Sequence, residues 1–217
     1  MTESKVRVFL KQYWTHYIML EEEVMKTTDY VSINRVNFET FSVRYFMLFE
    51  MICSEVDALC KGLIKEFDLP LDEERMDCYA APICEKYPDF TKRKIRCIGH
   101  DIELNPWNKW GDSYNSNAKK RISTPNWWKD YNACKHDRTA TRTGKTKANY
   151  MYANQKNVLC ALSALYQLNM YCFRELRNDD PNYLPDMPNP PSKLFEVIDW
   201  GNKWVTVGQG MALRRVE

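Results

Sequence analysis

Between residues 38 and 67 the apolar side chains Phe41, Tyr45, Leu48, Ile52, Val56, Leu59, Leu63 and Phe67 recur at spacings of 4, 3, 4, 4, 3, 4 and 4. Only a backbone with about 3.6 residues per turn brings such a series onto one side. The stripe predicts one long helix, roughly 45 Å at 1.5 Å per residue. Phe46, Phe49 and Met51 lie off the stripe and predict burial on two sides. Asn37 is the expected cap, and residues 68–71 with Pro70 end the segment.

Three further helical segments flank it. Residues 4–29 place Val8, Trp14, Tyr17, Ile18 and Val24 inward and leave the run Glu21, Glu22, Glu23 to a solvated turn. His16, among aromatic and apolar neighbours, reads as a structural histidine. Residues 125–138 follow an expected N-cap at Thr124 with Pro125 at the first helical position. Residues 147–177 carry the stripe Val158, Leu162, Leu165, Leu168 and Cys172. Between the second and third helices, residues 68–123 form an irregular insertion. In it a short helix over 73–85 ends around Pro82, and the runs at 93–98 and 101–104 make a hairpin about Gly99 and His100. After a proline-rich link, the runs at 195–198 and 204–207 predict a terminal hairpin turning at Gly201 and Asn202. The expected fold class is mainly α: a four-helix up-down bundle over 1–177 with the β-hairpin insertion, and a small C-terminal β-hairpin in 178–217 packed on the same domain.

A chain of 217 residues is long enough for one core. Its 44% hydrophobic and 13% aromatic content exclude a disordered chain, and only 7 Gly argue against an all-β fold with many tight turns. The net charge of +2 demands no polyanionic partner, so any such signal is local. No apolar run of about 18 residues predicts a membrane span, and the N-terminus does not read as a signal peptide. Cys53, Cys60, Cys160 and Cys172 lie within apolar helical patterns, which predicts reduced thiols and a cytoplasmic location.

Chemistry concentrates after residue 118. Trp127, Trp128 and Tyr131 supply an apolar anchor within one turn. Past them Asn132 and His136 share a helix face four residues apart, and Tyr131 and Arg138 nearly share another. From Lys119 to Lys147 there are nine Lys or Arg (119, 120, 121, 129, 135, 138, 142, 145 and 147) against Asp130 and Asp137. Beside aromatic residues this is either a footprint for a phosphate backbone or a solvated basic loop. Gly144, Lys145 and Thr146 match the end of a P-loop, but no Gly stands five residues before Gly144 and a helix precedes it, so that motif is rejected. Cys78, Cys84, Cys97 and His100 are a weak candidate zinc set, because the first pair lacks the usual short spacing.

Two long N-terminal helices, an insertion, a short helix ending in a polar His motif and a long fourth helix resemble the HEPN superfamily of helical bundles. That family is found in toxin–antitoxin, abortive-infection and CRISPR systems. Many members are ribonucleases with an Arg-x(4–6)-His motif, Asn often following the Arg. Here Asn132 and His136 match, Tyr131 holds the Arg position, and Arg138 stands two residues after the His. The resemblance covers roughly residues 4–67 and 124–177. It implies a metal-independent endoribonuclease of a defence or toxin–antitoxin system. His136 would be its general acid/base, with Asn132, Arg138 and Tyr131 beside it. Lys135, Lys129, Arg142, Lys145 and Lys147 would contact RNA. It also implies no cofactor, a homodimer, and a protein partner or antitoxin. The other expectation is a catalytically inactive helical module that docks a protein partner.

Overall fold

The buried positions Val6, Phe9, Trp14, Tyr17, Leu20 and Val24 fall on one arc of a helix with about 3.6 residues per turn, so the first helical segment keeps a single inward face. In this computed structural model, which describes residues 4–113, 123–180, 185–200, 203–206 and 213–216, α1 (Lys5–Phe9) passes through a π-helical stretch (Leu10–Trp14) into α2 (Thr15–Lys26). Val8, expected inside, lies about 200° round the helix from Val6 and is 43% exposed, while Val6, Phe9, Trp14, Tyr17 and Val24 are buried and Ile18 is half-buried.

The Glu21 to Glu23 run is not a solvated turn. Glu21 is fully buried. Its carboxylate accepts from the Tyr17 and Ser192 hydroxyls and from the backbone N–H groups of Lys193 (2.9 Å) and Leu194 (3.2 Å). Burial, with Glu21 next to it, holds the Tyr17 hydroxyl well above its ordinary pKa, so it remains a donor. The Trp14 indole donates to the Pro190 carbonyl at 2.8 Å. Residues 190–194 are thereby fastened along α2.

The long stripe forms α3 (Val43–Glu66), with Tyr45 through Leu63 of the series buried. Ser42, not Asn37, caps it, its hydroxyl accepting from the Tyr45 N–H at 3.0 Å. Asn37 closes a 3-10 turn (Arg35–Asn37) instead. Phe41 falls before the helix, edge-on to Tyr150. Of the off-stripe residues Phe49 is buried, but Met51 is 41% exposed, so the second side is covered only in part. The next helix, α4 (Met76–Lys86), runs on past Pro82. Proline costs it one intrahelical bond, and burial of Tyr79, Ala80, Ile83 and Cys84 carries the helix on.

The insertion hairpin is present: β1 (Ile95–Cys97) pairs antiparallel with β2 (Glu103–Leu104), Ile95 opposite Leu104, around Gly99 at φ 77°. Next come α5 (Asn108–Ser113), α6 (Asn126–His136) and α7 (Gln155–Asn178). The last helix starts eight residues later than expected. Residues 149–152 take a 3-10 turn, and Asn154 caps α7 by accepting from the Asn157 N–H. Its predicted stripe is buried, and so are Tyr166, Tyr171 and Phe173 off it. The all-round burial follows from its place, because α1, α2, α3 and α6 all pack on it.

The run at 195 departs from expectation. β3 (Phe195–Val197) pairs with β1, giving the order β2-β1-β3, and does not pair with the run at 204. Buried Phe195 and Val197 share a face with Ile95 and Cys97, and exposed Arg96 meets Glu196 at 2.8 Å. The alternation of both strands is satisfied by that partner. The terminal hairpin is instead β4 (Lys203–Thr206) against β5 (Leu213–Val216). The predicted turn residues Gly201 and Asn202 lie outside the described residues. The chain is mainly helical with a small three-stranded antiparallel sheet, and among the described residues no helix is long and apolar enough to cross a membrane.

Candidate functional site

Helix α6 is held by its aromatic face. Trp127 sits edge-on to Trp107 with ring centroids 5.5 Å apart and donates its indole N–H to the Pro106 carbonyl at 2.8 Å. Trp128 packs on Tyr131, and Tyr131 meets Phe49 of α3 edge-on at 5.8 Å. The helix begins one residue later than Thr124 and Pro125 predicted. Pro125 itself is the cap residue, its ψ of 148° extended, and no side chain caps the turn. With that face committed, Asn132, Lys135 and His136 lie along the open side.

The helix stops at His136, because Asp137 turns to φ −150°, ψ 90°. A hydrogen-bonded buckle fixes the loop beyond. The Asn149 side-chain amide donates to the Asp137 carbonyl at 2.6 Å, and the Cys134 thiol donates to the Asn149 carbonyl. Arg142 spans Asn149 Oδ1 (3.0 Å) and Asp130 Oδ1 (2.5 Å), while Asn157 donates to the other Asp130 oxygen at 3.0 Å. Arg138 therefore leaves the helix and does not share a face with Tyr131. Its guanidinium lies 4.2 Å over the Phe46 ring and 3.9 Å from Glu50.

Beside α6 opens a cleft of about 560 Å³. One wall is Asn132, Lys135 and His136, with Trp128 and Tyr131 at its base. Across it stand Ser54 and Asp57 of α3 and Glu74, Arg75 and Asp77 at the start of α4. His136 is exposed, and the Lys135 ammonium lies 5.7 Å from the Tyr131 ring centroid. Burial pushes the Tyr131 phenol up to about 12, so it remains a hydrogen-bond donor at neutral pH. The far wall is internally paired. Asp57 accepts from the Tyr79 hydroxyl (3.1 Å) and faces Lys61 (2.9 Å), which also reaches Glu74 at 3.4 Å. Arg75 forks onto Asp77 (3.1 and 2.6 Å) and reaches Glu73 at 2.8 Å.

The structure thus brings Asn132, Lys135, His136 and Tyr131 together and leaves Arg138 aside. The other predicted RNA contacts do not line the cleft. Lys129 bonds Ser123, Arg142 belongs to the buckle, Lys145 lies over Tyr152, and Lys147 pairs with Glu39. Lys119, Lys120 and Arg121 lie outside the described residues. The candidate zinc residues are dispersed, Cys84 in α4 and Cys97 in β1, and burial pushes both thiols up to about 12. Among the described residues no group of three or more His, Cys, Asp or Glu side chains is placed to hold a metal ion. Sequence reasoning missed Asp57, Glu74, Arg75 and Asp77. For the last three the charged run after Pro70, from Asp72 to Asp77, was the available signal.

Compared with family models, curated proteins and solved structures, the chain matches none of them.

Proposed function

We propose that the chain is a HEPN-like, metal-independent endoribonuclease and that the α6 cleft is its active site. The observation that carries this is the convergence of Asn132, Lys135 and His136 on one open cleft with an aromatic base. RNA brings its own nucleophile, so the protein need only move protons and neutralise charge. Histidine is the side chain that titrates nearest neutral pH. His136 takes the 2′-hydroxyl proton, the 2′-oxygen attacks phosphorus, and the 5′-oxygen leaves with a proton from Lys135 or solvent. Lys135 neutralises the phosphoryl oxygens, Asn132 orients them, and Tyr131 donates from the base of the cleft. Arg75, on the far wall, is held by Asp77 and Glu73, and Arg138 lies over Phe46, so Lys135 is the cation that faces the phosphate. The four-helix bundle arrangement, a homodimer, a cytoplasmic defence or toxin–antitoxin role and an antitoxin partner belong to the same reading.

The test is incubation of the purified protein with total RNA and with tRNA in excess EDTA, beside His136→Ala. Cleavage by the parent alone, leaving 2′,3′-cyclic phosphate ends, supports the reading. Equal cleavage by both proteins removes His136 from the site. A second reading, a non-catalytic interaction module, is favoured by the carboxylates of Asp57, Glu74 and Asp77 in the cleft, which repel a polyanion. Absence of cleavage by either protein selects it.

A further inference from the structure

The two walls of the cleft differ in chemistry. The α6 wall carries the Lys135 ammonium, the Asn132 amide and the His136 imidazole, while the far wall carries the Asp57 and Glu74 carboxylates. We infer that the far wall reads the base of the nucleotide whose phosphate lies against α6, and that it favours guanine over uracil. This rests on the nuclease reading of the same cleft.

The argument begins with orientation. A phosphate is repelled by the carboxylates and attracted by Lys135, so a nucleotide enters one way round. Whatever then meets the Glu74 carboxylate must donate hydrogen bonds, because an ionised carboxylate only accepts them, and the Arg75 donors on the same wall are taken by Asp77 and Glu73. Guanine presents N1–H and its N2 amino group along one edge, two parallel donors that match the two oxygens of a carboxylate. Uracil presents a single N–H between two carbonyl oxygens, and those oxygens face the carboxylate unfavourably.

Glu74 is the side chain placed to read that edge. Asp57 is engaged by both Tyr79 and Lys61. The Glu74 side chain is 69% exposed, and its contact with Lys61, at 3.4 Å, runs through Oε2. Lys61 thus positions Glu74 without using both oxygens. Trp128 and Tyr131, both buried, give the cleft a rigid base. At about 560 Å³ the cleft falls in the range of small-ligand pockets, about 300–1,000 Å³, and suits one nucleotide.

The experiment is calorimetric titration of the full chain with 3′-GMP and with 3′-UMP. Neither has a leaving nucleotide, so neither is turned over. The expected result is tighter binding of 3′-GMP by about tenfold, equivalent to about 1.4 kcal/mol. In Glu74→Gln the amide puts a donor where an acceptor stood, so 3′-GMP binds more weakly, 3′-UMP gains a partner for its carbonyl oxygens, and the preference falls below about threefold. A thermal melt of Glu74→Gln matching the parent excludes misfolding. Equal affinity for the two nucleotides, binding of neither, or a preference that survives Glu74→Gln overturns the inference. The two readings fail separately. A guanine preference in a protein that cuts no RNA sinks the nuclease and keeps the base reading. Cleavage after every base at equal rates does the reverse.

Discussion

Glu21 is the side chain whose removal should cost the fold most per atom changed. Glu21→Gln keeps the size and replaces one oxygen by an amino group. In the parent, Oε2 accepts from the Lys193 N–H, and Oε1 accepts from Tyr17, Ser192 and the Leu194 N–H. Whichever way the amide turns, at least one buried backbone N–H then faces another donor. One lost bond to a charged acceptor is worth about 1.5–3 kcal/mol, and one stranded donor costs about 1–3 kcal/mol. Their sum centres on about 4 kcal/mol. For a chain of this size each kcal/mol moves the melting temperature by about 2–4 °C, so a drop of about 8–16 °C is expected by calorimetry. The opposing effect is desolvation, since burying a carboxylate is expensive and a neutral amide escapes that cost. If desolvation wins, Glu21→Gln melts within about 3 °C of the parent or above it, and the latch argument is refuted. Glu22→Gln is the control. Its carboxylate is 51% exposed and 4.0 Å from the Lys193 ammonium, so its effect should stay within about 0.5 kcal/mol.

Other consequences are as direct. Arg142→Ala strands the largely buried Asp130 and opens the buckle, at a cost of about 2 kcal/mol, below the 3–5 kcal/mol of a fully buried pair because Arg142 is partly exposed. Hydrogen exchange should accelerate at the Asn149 and Tyr150 amides, which bond to Ala140 and Arg138, and unchanged exchange there contradicts the buckle. With Ellman's reagent at pH 8, the half-buried Cys78 should react in the native protein. Cys53, Cys60, Cys84, Cys97, Cys134 and Cys172 are buried, with thiols raised first by that burial, and should react only in denaturant. Fast labelling of all of them would mean the core is open. His136→Ala should abolish RNA cleavage while leaving the melting temperature within about 2 °C, since an exposed residue at a helix end contributes little to stability.

What the sequence disclosed and what it hid divide along a physical line. The α3 stripe, the buried face of α7 and the β1–β2 hairpin all follow from periodicity and local turns, and these were legible. So was the aromatic anchoring of α6, because three large rings within one turn must be buried. Features set by distant partners were not. Three consecutive glutamates read as solvated because nothing nearby shows that residues 192–194 will supply donors to the first. A run of basic residues left both a phosphate footprint and a solvated loop open, and neither reading foresaw that Arg142 and Lys147 are each taken by a carboxylate from another element. The far wall of the cleft was hidden for the same reason. Asp57 lies off the α3 stripe and Glu74 in a charged connection, and only packing of α3, α4 and α6 brings them opposite His136.

The fastening of residues 190–194 along α2 bears on how the molecule is made. Glu21 needs the Leu194 amide, 173 residues later in the chain. At about 5–20 residues per second, a ribosome delivers that amide roughly 10–35 s after the carboxylate. Throughout that interval the nascent first helix carries a charged group and the Trp14 indole with no place to bury them. Its early packing on α3 is therefore provisional. The arrival of residues 190–194 commits the first helix to its native packing, and a nascent chain stalled before residue 190 is a natural client for a chaperone.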